Sequence, residues 1–484
     1  MTDNRIVSGE DYIASLRGRK LKVYLLGELV AEPVDHPLIR PSTNALAMTY
    51  ELAVEQPELA TAPSPFTGER VNRFLHVAMS AQEVAQQGDM QRRLGQLTGT
   101  CFQRCVGMDV FNALYSVTYE IDQAHGTPYH ARLKAFIERM QRGNFVIGGA
   151  MTDVKGDRSK GPAGQADPDL FLHVTRRTAE GVYIRGAKAH QTGCINSHWL
   201  IVMPTQRLEA EEADYAIVGA LPVEAEGISY IYGRQSCDTR SLEGGTLDVG
   251  NAGYSGQEAL IIFEEAFIPN ELIFMNGETE FAAMLVERFT SYHRRSYVCK
   301  SGVGDVLIGA AAAIAEVHGV EKASHIRDKL VEMTHLNETI YATGMASSYQ
   351  SQATKSGAYL CNDLLANVCK HHVTRIPYEM GRLAQDLAGG LMVTLPSEAD
   401  FRSEETGPLL DKYLKARADV PTEQRLRLLR LIENMTLGRN AVGYLTESLH
   451  GAGSPQAQRI QIYRQANFEA KKKLAKRLAG IEEA

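Results

Sequence analysis

The spacing of hydrophobic residues changes twice along the chain and divides it into three zones. Up to about residue 142, apolar residues recur three and four positions apart, as in 90–97 and 110–121, which predicts α-helices. Between residues 145 and 269, short apolar or alternating runs are separated by turn residues, a pattern that predicts β-strands. Beyond residue 270 the helical spacing returns, so we expect the strands mainly in the middle of the chain.

Several segments of the last zone are long enough to be bundle helices, namely 301–318, 321–347, 363–388, 421–450 and 455–478. Pro377 is expected to kink or break the third of these, because proline removes a backbone donor and clashes with the preceding turn. Strands and helices do not alternate regularly, which argues against Rossmann and TIM architectures. We predict an α+β protein with an N-terminal, mostly helical domain (1–144), a middle β domain (145–275) and a C-terminal helical bundle (276–484).

Composition narrows the class of protein. With 484 residues, 44% of them hydrophobic and 23% charged, the chain is expected to be a soluble globular protein of more than one domain. The net charge of −7 gives no basic excess and argues against nucleic-acid binding. The N-terminus lacks an apolar signal-peptide core and no apolar run reaches 18 residues, so we expect a cytoplasmic protein without a membrane partner.

The chain has 7 cysteines, and in the cytoplasm they should be reduced, so clustered ones suggest metal binding or catalysis. Cys101 and Cys105 are four residues apart. On a helix they would share a face, and two thiolates there could ligate one metal or one cluster. Two small buried core residues would give the same pattern, so both interpretations stay open.

A second group, in residues 292–300, places an imidazole, a phenol, a thiol and an amine close together. These are His293, Tyr297, Cys299 and Lys300. They could provide further cluster ligands with an acid and a base beside them. A polar helix start exposed to solvent is the alternative interpretation.

Polar loops in the β zone are candidates for a cofactor site. Residues 186–198 are predicted as a loop turning on glycine and asparagine, with Gln191 and with Thr192, whose hydroxyl could donate to a flavin N5. A second loop, 151–158, contains Met151, Thr152 and Arg158. Ordinary hairpin loops would look similar.

A double glycine, Gly389-Gly390, follows a predicted helix. Its simplest role is a helix C-cap, and it could also let a pyrophosphate approach the backbone. Glu447 lies near a helix end, where a capping role is the simple alternative to chemistry. No G-x-G-x-x-G with a following acidic residue and no P-loop occurs in the sequence, so NAD and ATP lose support as cofactors.

Segments spread over the chain together resemble one family, the 4-hydroxybutyryl-CoA dehydratases. The segments are 35–41, 48–52, 101–109, 151–158, 186–198, 232–240, 303–309, 333–338, 389–401 and 447–459. The wider superfamily contains the 4-hydroxyphenylacetate 3-monooxygenases and shares the acyl-CoA dehydrogenase fold. The resemblance implies FAD in the β domain, a [4Fe–4S] cluster, an acyl-CoA substrate and a homotetramer. It also implies radical dehydration of 4-hydroxybutyryl-CoA to crotonyl-CoA and water, with vinylacetyl-CoA isomerisation as a related activity.

Carried over by resemblance, the cluster ligands are Cys101, Cys105, His293 and Cys299. The active-site positions are Gln103, Thr192, Glu258, Tyr297, Lys300 and Glu447. Gly389 and Gly390 would reach the flavin of a neighbouring subunit, and 151–158 would contact the flavin of its own.

One position departs from the family pattern. The family typically has Gly-Gly before the last cysteine, where this chain has only Val298, so the link from His293 to Cys299 is one residue shorter. Three alternatives therefore stay open. They are a dehydratase-like paralogue acting on another acyl-CoA, a two-component FADH₂-dependent aromatic monooxygenase, and a catalytically inactive binding protein.

Overall fold

The structure, a computed structural model, describes residues 5–481. The first zone is helical, as predicted. Its helices are α1 (Gly9–Ser15), α2 (Arg40–Glu55), α3 (Pro57–Ala60), α4 (Ala81–Thr98), α5 (Cys105–His125) and α6 (Tyr129–Gly143). Helix α4 begins after the cap Ser80 and ends at Gly99, which has a left-handed φ of 63°. Helix α5 is buried along most of its length, because it lies between the other helices and the sheets.

The strands form two main sheets. The strands are β1 (Val23–Leu25), β2 (Glu28–Val30), β3 (Thr61–Pro63), β4 (Arg70–Asn72), β5 (Ile147–Ala150), β6 (His173–Arg177), β7 (Gly181–Thr192), β8 (Trp199–Val202), β9 (Ile217–Pro222), β10 (Ile228–Tyr232), β11 (Glu258–Pro269), β12 (Ile273–Asn276), β13 (Gln352–Ala353) and β14 (Tyr359–Leu360). The larger sheet has the order β2-β1-β10-β11-β7-β6, and the smaller has β12-β9-β8-β5. The pairs β3–β4 and β13–β14 stand apart.

Two features of these sheets differ from the prediction. Strand β1 lies in the first zone of the sequence, yet it pairs in parallel with β10, so the N-terminal hairpin extends the larger sheet. Residues 186–192, predicted as loop, continue strand β7, which pairs with β11 as far as Thr192 opposite Glu258. The 151–158 segment is a loop, as predicted, tied to β7 by an isolated bridge between Asp153 and Lys188.

The C-terminal zone is a helical bundle. Its helices are α7 (Ala282–Ser296), α8 (Cys299–Val317), α9 (Ser324–Tyr349), α10 (Asp363–Val373), α11 (Ile376–Ala388), α12 (Glu398–Arg402), α13 (Gly407–Tyr413), α14 (Thr422–Thr436), α15 (Glu447–His450), α16 (Pro455–Gln465) and α17 (Phe468–Leu478). The predicted break at Pro377 is confirmed, since this proline lies in the first turn of α11.

Two other segments that were predicted as single bundle helices are each divided in the structure, so those two predictions are wrong. The segment 421–450 contains α14, a π-helical turn at Val442–Thr446 and then α15. The segment 455–478 divides at Asn467, whose left-handed φ of 45° ends α16 and caps α17. Among the described residues, Thr279–Val317 is long and apolar enough to cross a membrane, but 61% of its most apolar window is buried inside the protein. That segment consists mainly of α7 and α8, which pack in the core.

The hydrophobic core is divided near the junction of α7 and α8. Tyr292 belongs to the large cluster that joins the N-terminal helices to the sheets, whereas Tyr297 and Val298 belong to the cluster of the C-terminal bundle. Cys299 packs in a third cluster with Phe102. The α7–α8 junction therefore lies where these cores meet.

Candidate active site

A cavity at this junction collects most of the predicted chemistry. The cavity is small, with about 30 Å³ open to a water-sized sphere. It is lined by Cys101, Phe102, Gln103, Cys105, Val106, Thr192, His293, Ser296, Tyr297, Cys299 and Glu447. All four predicted cluster ligands line it, although they come from segments nearly two hundred residues apart in the sequence.

The prediction that Cys101 and Cys105 share one helix is wrong. Cys101 lies in the turn after α4, and only Cys105 is helical, as the first residue of α5. The chain reverses between them because Gln103 adopts a left-handed φ of 63°. Both thiols reach the cavity by this turn instead of by a common helix face.

Two backbone segments pack against Cys101. A Cβ on Gly256 or on Gly443 would lie 3.6 Å from the Cβ of Cys101, an ordinary van der Waals distance. The segments before β11 and before α15 therefore both lie beside this cysteine.

Cys105 and Cys299 each stand at the first position of a helix, α5 and α8 respectively. Helix N-termini favour thiolate over thiol. Burial nevertheless raises the pKa of Cys101 and Cys105 well above the usual value, and that of Cys299 to about 11. The protein alone therefore keeps these thiols protonated, and bound cations would be needed to deprotonate them.

His293, in the last turn of α7, is oriented by a buried carboxylate. Its Nδ1 lies 2.7 Å from Asp109 Oδ2, and Asp109 Oδ1 accepts a hydrogen bond of 2.8 Å from the Ser296 hydroxyl. The ring stacks on Phe289 with centroids 5.4 Å apart. With Nδ1 bonded to Asp109, Nε2 is the nitrogen available to the cavity, the arrangement typical of metal-binding histidines.

Lys300 and Glu447 form a buried ion pair beside the cysteines. Lys300 Nζ lies 3.2 Å from Glu447 Oε2 and donates a 2.7 Å hydrogen bond to the carbonyl of Gly443. Burial lowers the pKa of Lys300, but the negative charge of Glu447 and its hydrogen bond to Lys300 outweigh burial and raise the pKa above the ordinary value. Lys300 is therefore a fixed positive charge.

The π-helical turn determines where Glu447 points. It precedes Glu447 directly and adds a residue to the helical turn, a device often found at functional sites. Gly443, inside this turn, supplies the carbonyl bound by Lys300 and lies beside Cys101.

Glu258, the first residue of β11, faces Thr192 across the larger sheet. The Thr192 hydroxyl donates a 2.7 Å hydrogen bond to Glu258 Oε1, while Oε2 is buried without a hydrogen-bond partner among the described residues. Burial and the charge of Glu447 raise the pKa of Glu258 well above its usual value. Glu258 is therefore a neutral carboxylic acid beside an ion-paired carboxylate.

Gln103 lines the cavity, but its side-chain amide is already engaged. Its Nε2 donates to the carbonyls of Ser42 and Ser255 at 2.8 and 2.9 Å, and its Oε1 accepts from Asn196 at 3.1 Å. These bonds hold the strained turn between the two cysteines to neighbouring loops. The contacts favour a positioning role over the direct catalytic role expected from resemblance.

The predicted flavin residues separate into two groups. Gln191 Oε1 accepts a 3.0 Å hydrogen bond from the Met151 amide, and its Nε2 donates a 3.1 Å bond to the Thr152 carbonyl, so this part of the loop is fixed to β7. Lys188 reinforces the loop with a 2.5 Å ion pair to Asp153. Of the predicted cofactor-binding residues, only Thr192 lines the cavity.

Arg158, Gly389 and Gly390 are exposed at the surface and do not line the cavity. Gly389 ends α11 with a φ of 81°, which fits the simple C-cap interpretation.

Asp109 and the π-helical turn were missed by reasoning from the sequence. Asp109 follows Cys105 by four residues on α5, so it lies on the same helix face, and that spacing was the available signal. The π-helical turn has no comparable signal, since its residues resemble an ordinary helical stretch.

Comparison with known proteins first defines a class. Models of the 4-hydroxyphenylacetate 3-hydroxylase family match residues 8–275 (N terminal) and 282–480 (C terminal). The oxygenase component of 4-hydroxyphenylacetate 3-monooxygenase, solved in complex with FAD and 4-hydroxyphenylacetate, superposes with a TM-score of 0.85 at 21% identity, covering 97% of this chain and 98% of that one. A glutaryl-coenzyme A dehydrogenase, solved with glutaryl-CoA, superposes with a TM-score of 0.51 at 12% identity, covering 93% of this chain and 89% of that one. At these identities the likenesses show the fold alone, and they confirm the predicted acyl-CoA dehydrogenase-like architecture.

Two closer relatives then identify the family. The chain is 53% identical to the 4-hydroxybutyryl-CoA dehydratase/vinylacetyl-CoA-Delta-isomerase of Clostridium aminobutyricum, over 99% of this chain and 100% of that protein. It superposes on an oxygen-tolerant archaeal 4-hydroxybutyryl-CoA dehydratase from N. maritimus with a TM-score of 0.98 and 67% identity, covering 99% and 96% of the two chains. The chain belongs to the 4-hydroxybutyryl-CoA dehydratase family, as the sequence predicted.

Proposed function

We propose that this protein dehydrates 4-hydroxybutyryl-CoA to crotonyl-CoA and water, and that it also isomerises vinylacetyl-CoA to crotonyl-CoA. One observation carries the proposal. Within a chain 53% identical to a dehydratase/isomerase, three thiols and an imidazole line the same cavity as the carboxylate of Glu447 and the phenol of Tyr297. The reaction consumes no external reductant, which agrees with the absence of NAD and ATP motifs from the sequence.

The donor set fits a [4Fe–4S] cluster held by Cys101, Cys105, Cys299 and His293. Cysteine thiolates are the usual ligands of such clusters, and histidine replaces cysteine in some iron–sulfur centres. Among the described residues, no three His, Cys, Asp or Glu side chains are placed to hold a single metal ion, so the cluster proposal is supported by the donor types and the family alone. The bond from His293 to Asp109 supplies the outer-shell support that metal-binding histidines normally have.

We propose that FAD binds beside Thr192 and Glu258. The unpartnered Oε2 of Glu258 and the hydroxyl of Thr192 place two polar groups at one edge of the cavity, next to the rigid end of β7. We propose that the 151–158 loop contacts the same flavin, and that Gly389 and Gly390 contact the flavin of a neighbouring subunit. When bound, the flavin supplies one-electron oxidation and reduction, and the cluster supplies an iron Lewis acid for the departing hydroxyl.

The protein groups divide the proton transfers between them. Glu258 holds a proton at its carboxyl group, so it is suited to donate one to the leaving hydroxyl. Glu447, paired with Lys300, is suited to accept a proton from the carbon next to the thioester. The available Nε2 of His293 is a second base, and Tyr297 closes the cavity beside it with ring centroids 5.6 Å apart.

The test begins with protein purified without air. We expect about four irons and four sulfides per chain, bound flavin, and conversion of 4-hydroxybutyryl-CoA to crotonyl-CoA. Cys237→Ala is a matched control for the cavity cysteines, because Cys237 does not line the cavity and its thiol donates a 3.7 Å hydrogen bond to the Gly233 carbonyl. Protein that lacks iron but consumes oxygen with reduced flavin and 4-hydroxyphenylacetate would instead be a monooxygenase. Iron and flavin content with turnover of a different acyl-CoA would identify a paralogue.

We also propose that the protein is a cytoplasmic homotetramer. Helices α16 and α17 expose large apolar side chains, namely Tyr463, Phe468, Leu474 and Leu478. An exposed apolar surface of this kind is unusual on a monomer, and association of several copies of the chain would cover it. Light scattering that reports a monomer at micromolar concentration would contradict the proposal.

A further inference from the structure

A second lysine is buried behind the candidate active site. Lys370, on α10, is completely buried, and its ammonium group donates a hydrogen bond to the carbonyl of Ser448. The same ammonium lies 4.4 Å from the centroid of the Tyr297 ring, within cation–π distance. Lys370 is not among the cavity-lining residues, so it reaches the site only through these neighbours.

Tyr297 and Lys370 bind consecutive carbonyls of the same helix. The Tyr297 hydroxyl lies 3.4 Å from the carbonyl of Glu447, and Lys370 takes the next carbonyl, that of Ser448. The Glu447 carbonyl also accepts a 2.8 Å hydrogen bond from the backbone N–H of Gly451, the residue that caps α15, so Tyr297 adds a second, longer contact to it. A positive charge at the end of a helix is also electrostatically favourable. The two side chains therefore hold the short helix that carries Glu447.

Gly451 allows the Tyr297 ring to pack closely against the end of helix α15. A Cβ at this position would lie 1.7 Å from the Tyr297 hydroxyl oxygen, so only glycine leaves room for the ring where Lys370 holds it. The ring is thus confined between Lys370, Gly451 and the carbonyl of Glu447.

The charged groups near Lys370 do not form an ion pair with it that would account for its burial. Burial and the positive charge of Lys300 lower its pKa to about 7, and Arg294 acts in the same direction, whereas Glu447 and Cys369 oppose them. Glu447 is already paired with Lys300, and Arg294 donates to Asn367 at 2.7 Å and to the Ala452 carbonyl at 3.0 Å. A buried lysine carries a desolvation cost, and a leucine or methionine would fill the same space without it.

We propose that Lys370 is a positioning residue for the dehydration, acting through Tyr297 and the backbone of α15. It fixes where the Tyr297 hydroxyl and the Glu447 side chain face the cavity, without touching the substrate itself. The inference rests on the proposed function, and it extends the active site to a residue of α10.

A double-mutant cycle tests whether Lys370 acts through Tyr297. The variants are Lys370→Met, Tyr297→Phe and the combination, each assayed for kcat and KM with 4-hydroxybutyryl-CoA. We expect Lys370→Met to lower kcat about 10- to 100-fold in the wild-type background, as small misplacements of active-site groups do, with little change in KM. In the Tyr297→Phe background the same change should cost clearly less, because the part of its effect that runs through the Tyr297 hydroxyl is already lost and only the part that runs through the Ser448 carbonyl remains.

The control is Lys329→Met, which removes a lysine of the same bundle that pairs with Asp386 at 2.7 Å. It should keep wild-type kcat. Equal losses from Lys370→Met in the two backgrounds, or no loss in either, would overturn the proposal. If the methionine variant does not fold, Lys370→Gln takes its place in the same cycle.

A structural measurement separates this proposal from the proposed function. In a crystal structure of Lys370→Met, we expect the Tyr297 hydroxyl to move away from the Glu447 carbonyl. An unchanged Tyr297 would overturn the inference whether or not the enzyme is active. Wild-type protein that does not turn over 4-hydroxybutyryl-CoA, combined with a displaced Tyr297 in the variant, would refute the proposed substrate and leave the positioning role supported.

Discussion

Replacing Asp109 by asparagine should uncouple His293 from its proposed role as an iron ligand. The substitution keeps the volume of the side chain and removes its charge. The new amide would keep one oxygen, which can still accept the hydrogen bond from Ser296 that Asp109 Oδ1 now accepts at 2.8 Å. Its NH₂ group would then face His293 Nδ1, where a carboxylate oxygen now lies at 2.7 Å. Two donors would meet, so the imidazole is expected to move its proton to Nε2, the nitrogen that would bind iron.

The size of the effect follows from the bond that is lost. A hydrogen bond to a charged group contributes about 1.5–3 kcal/mol, and removing outer-shell partners of metal-binding histidines costs about 10- to 100-fold in affinity or activity. That range corresponds to about 1.4–2.7 kcal/mol, so the two estimates agree. Because three thiols remain, most of the iron should stay bound, and kcat should fall more than iron content.

The assay compares iron per chain and kcat for wild type, Asp109→Asn and Asp122→Asn, all prepared without air. Asp122 is a matched control on the same helix, where it accepts hydrogen bonds from Thr127 and from the backbone of residues 129 and 130, away from the cavity. It should retain wild-type kcat per folded protein. An Asp109→Asn enzyme with kcat within about twofold of wild type would show that this bond does not orient a catalytic histidine.

Three further variants test other parts of the site. Cys101→Ala should lose both iron and activity, whereas Cys237→Ala should keep them, as measured by iron analysis and turnover. Glu258→Gln should stabilise the cofactor-free protein relative to wild type increasingly as pH rises above the usual carboxyl pKa. The folded protein holds the wild-type carboxyl neutral, while the unfolded chain ionises it, so wild-type stability falls by about 1.4 kcal/mol per pH unit between the unfolded and the folded pKa. A melting-temperature difference that does not change with pH would contradict this. Gly344→Ala should lower stability by about 1–3 kcal/mol and iron content with it, because its Cβ would lie 2.0 Å from Val298 Cγ1. Adding Val298→Ala should restore both, and thermal melts with iron analysis would detect this.

Local patterns predicted the three zones of the fold because hydrophobic periodicity is a property of short segments. The same reasoning located the break at Pro377, where one residue dictates the backbone. It missed the parallel pairing of Val23 with Tyr230, since that contact depends on the packing of distant segments. It also missed the π-helical turn at Val442–Thr446, where tertiary contacts such as the bond from Lys300 to the Gly443 carbonyl accompany an extra residue in the helix.

In the candidate site, too, local features were predictable from the sequence and features that depend on distant contacts were not. The groups around Cys101 and His293 were recognisable from residue types and spacing, but not their convergence. Glu258 became a candidate only through the family resemblance, because its neutral state depends on burial and on a carboxylate far away in sequence. The Cys101–Cys105 pair was placed on the wrong element, since the strained turn at Gln103 is held by contacts with Ser42, Ser255 and Asn196.

The link between His293 and Cys299, which the resemblance implies is one residue shorter than in the family, is held by packing at Val298. Val298 has a φ of −54° and a ψ of −23°, ordinary right-handed values that need no glycine. Its side chain occupies the space left by Gly344 on α9, and it also lies near Gly88 on α4, where a Cβ would be 3.5 Å from Val298 Cγ2. Helix α7 can therefore pass into α8 through a single tight turn, with His293 and Cys299 both facing the cavity. Since a buried branched side chain is more rigid than two glycines, the junction that carries two proposed ligands is fixed by the core on both sides.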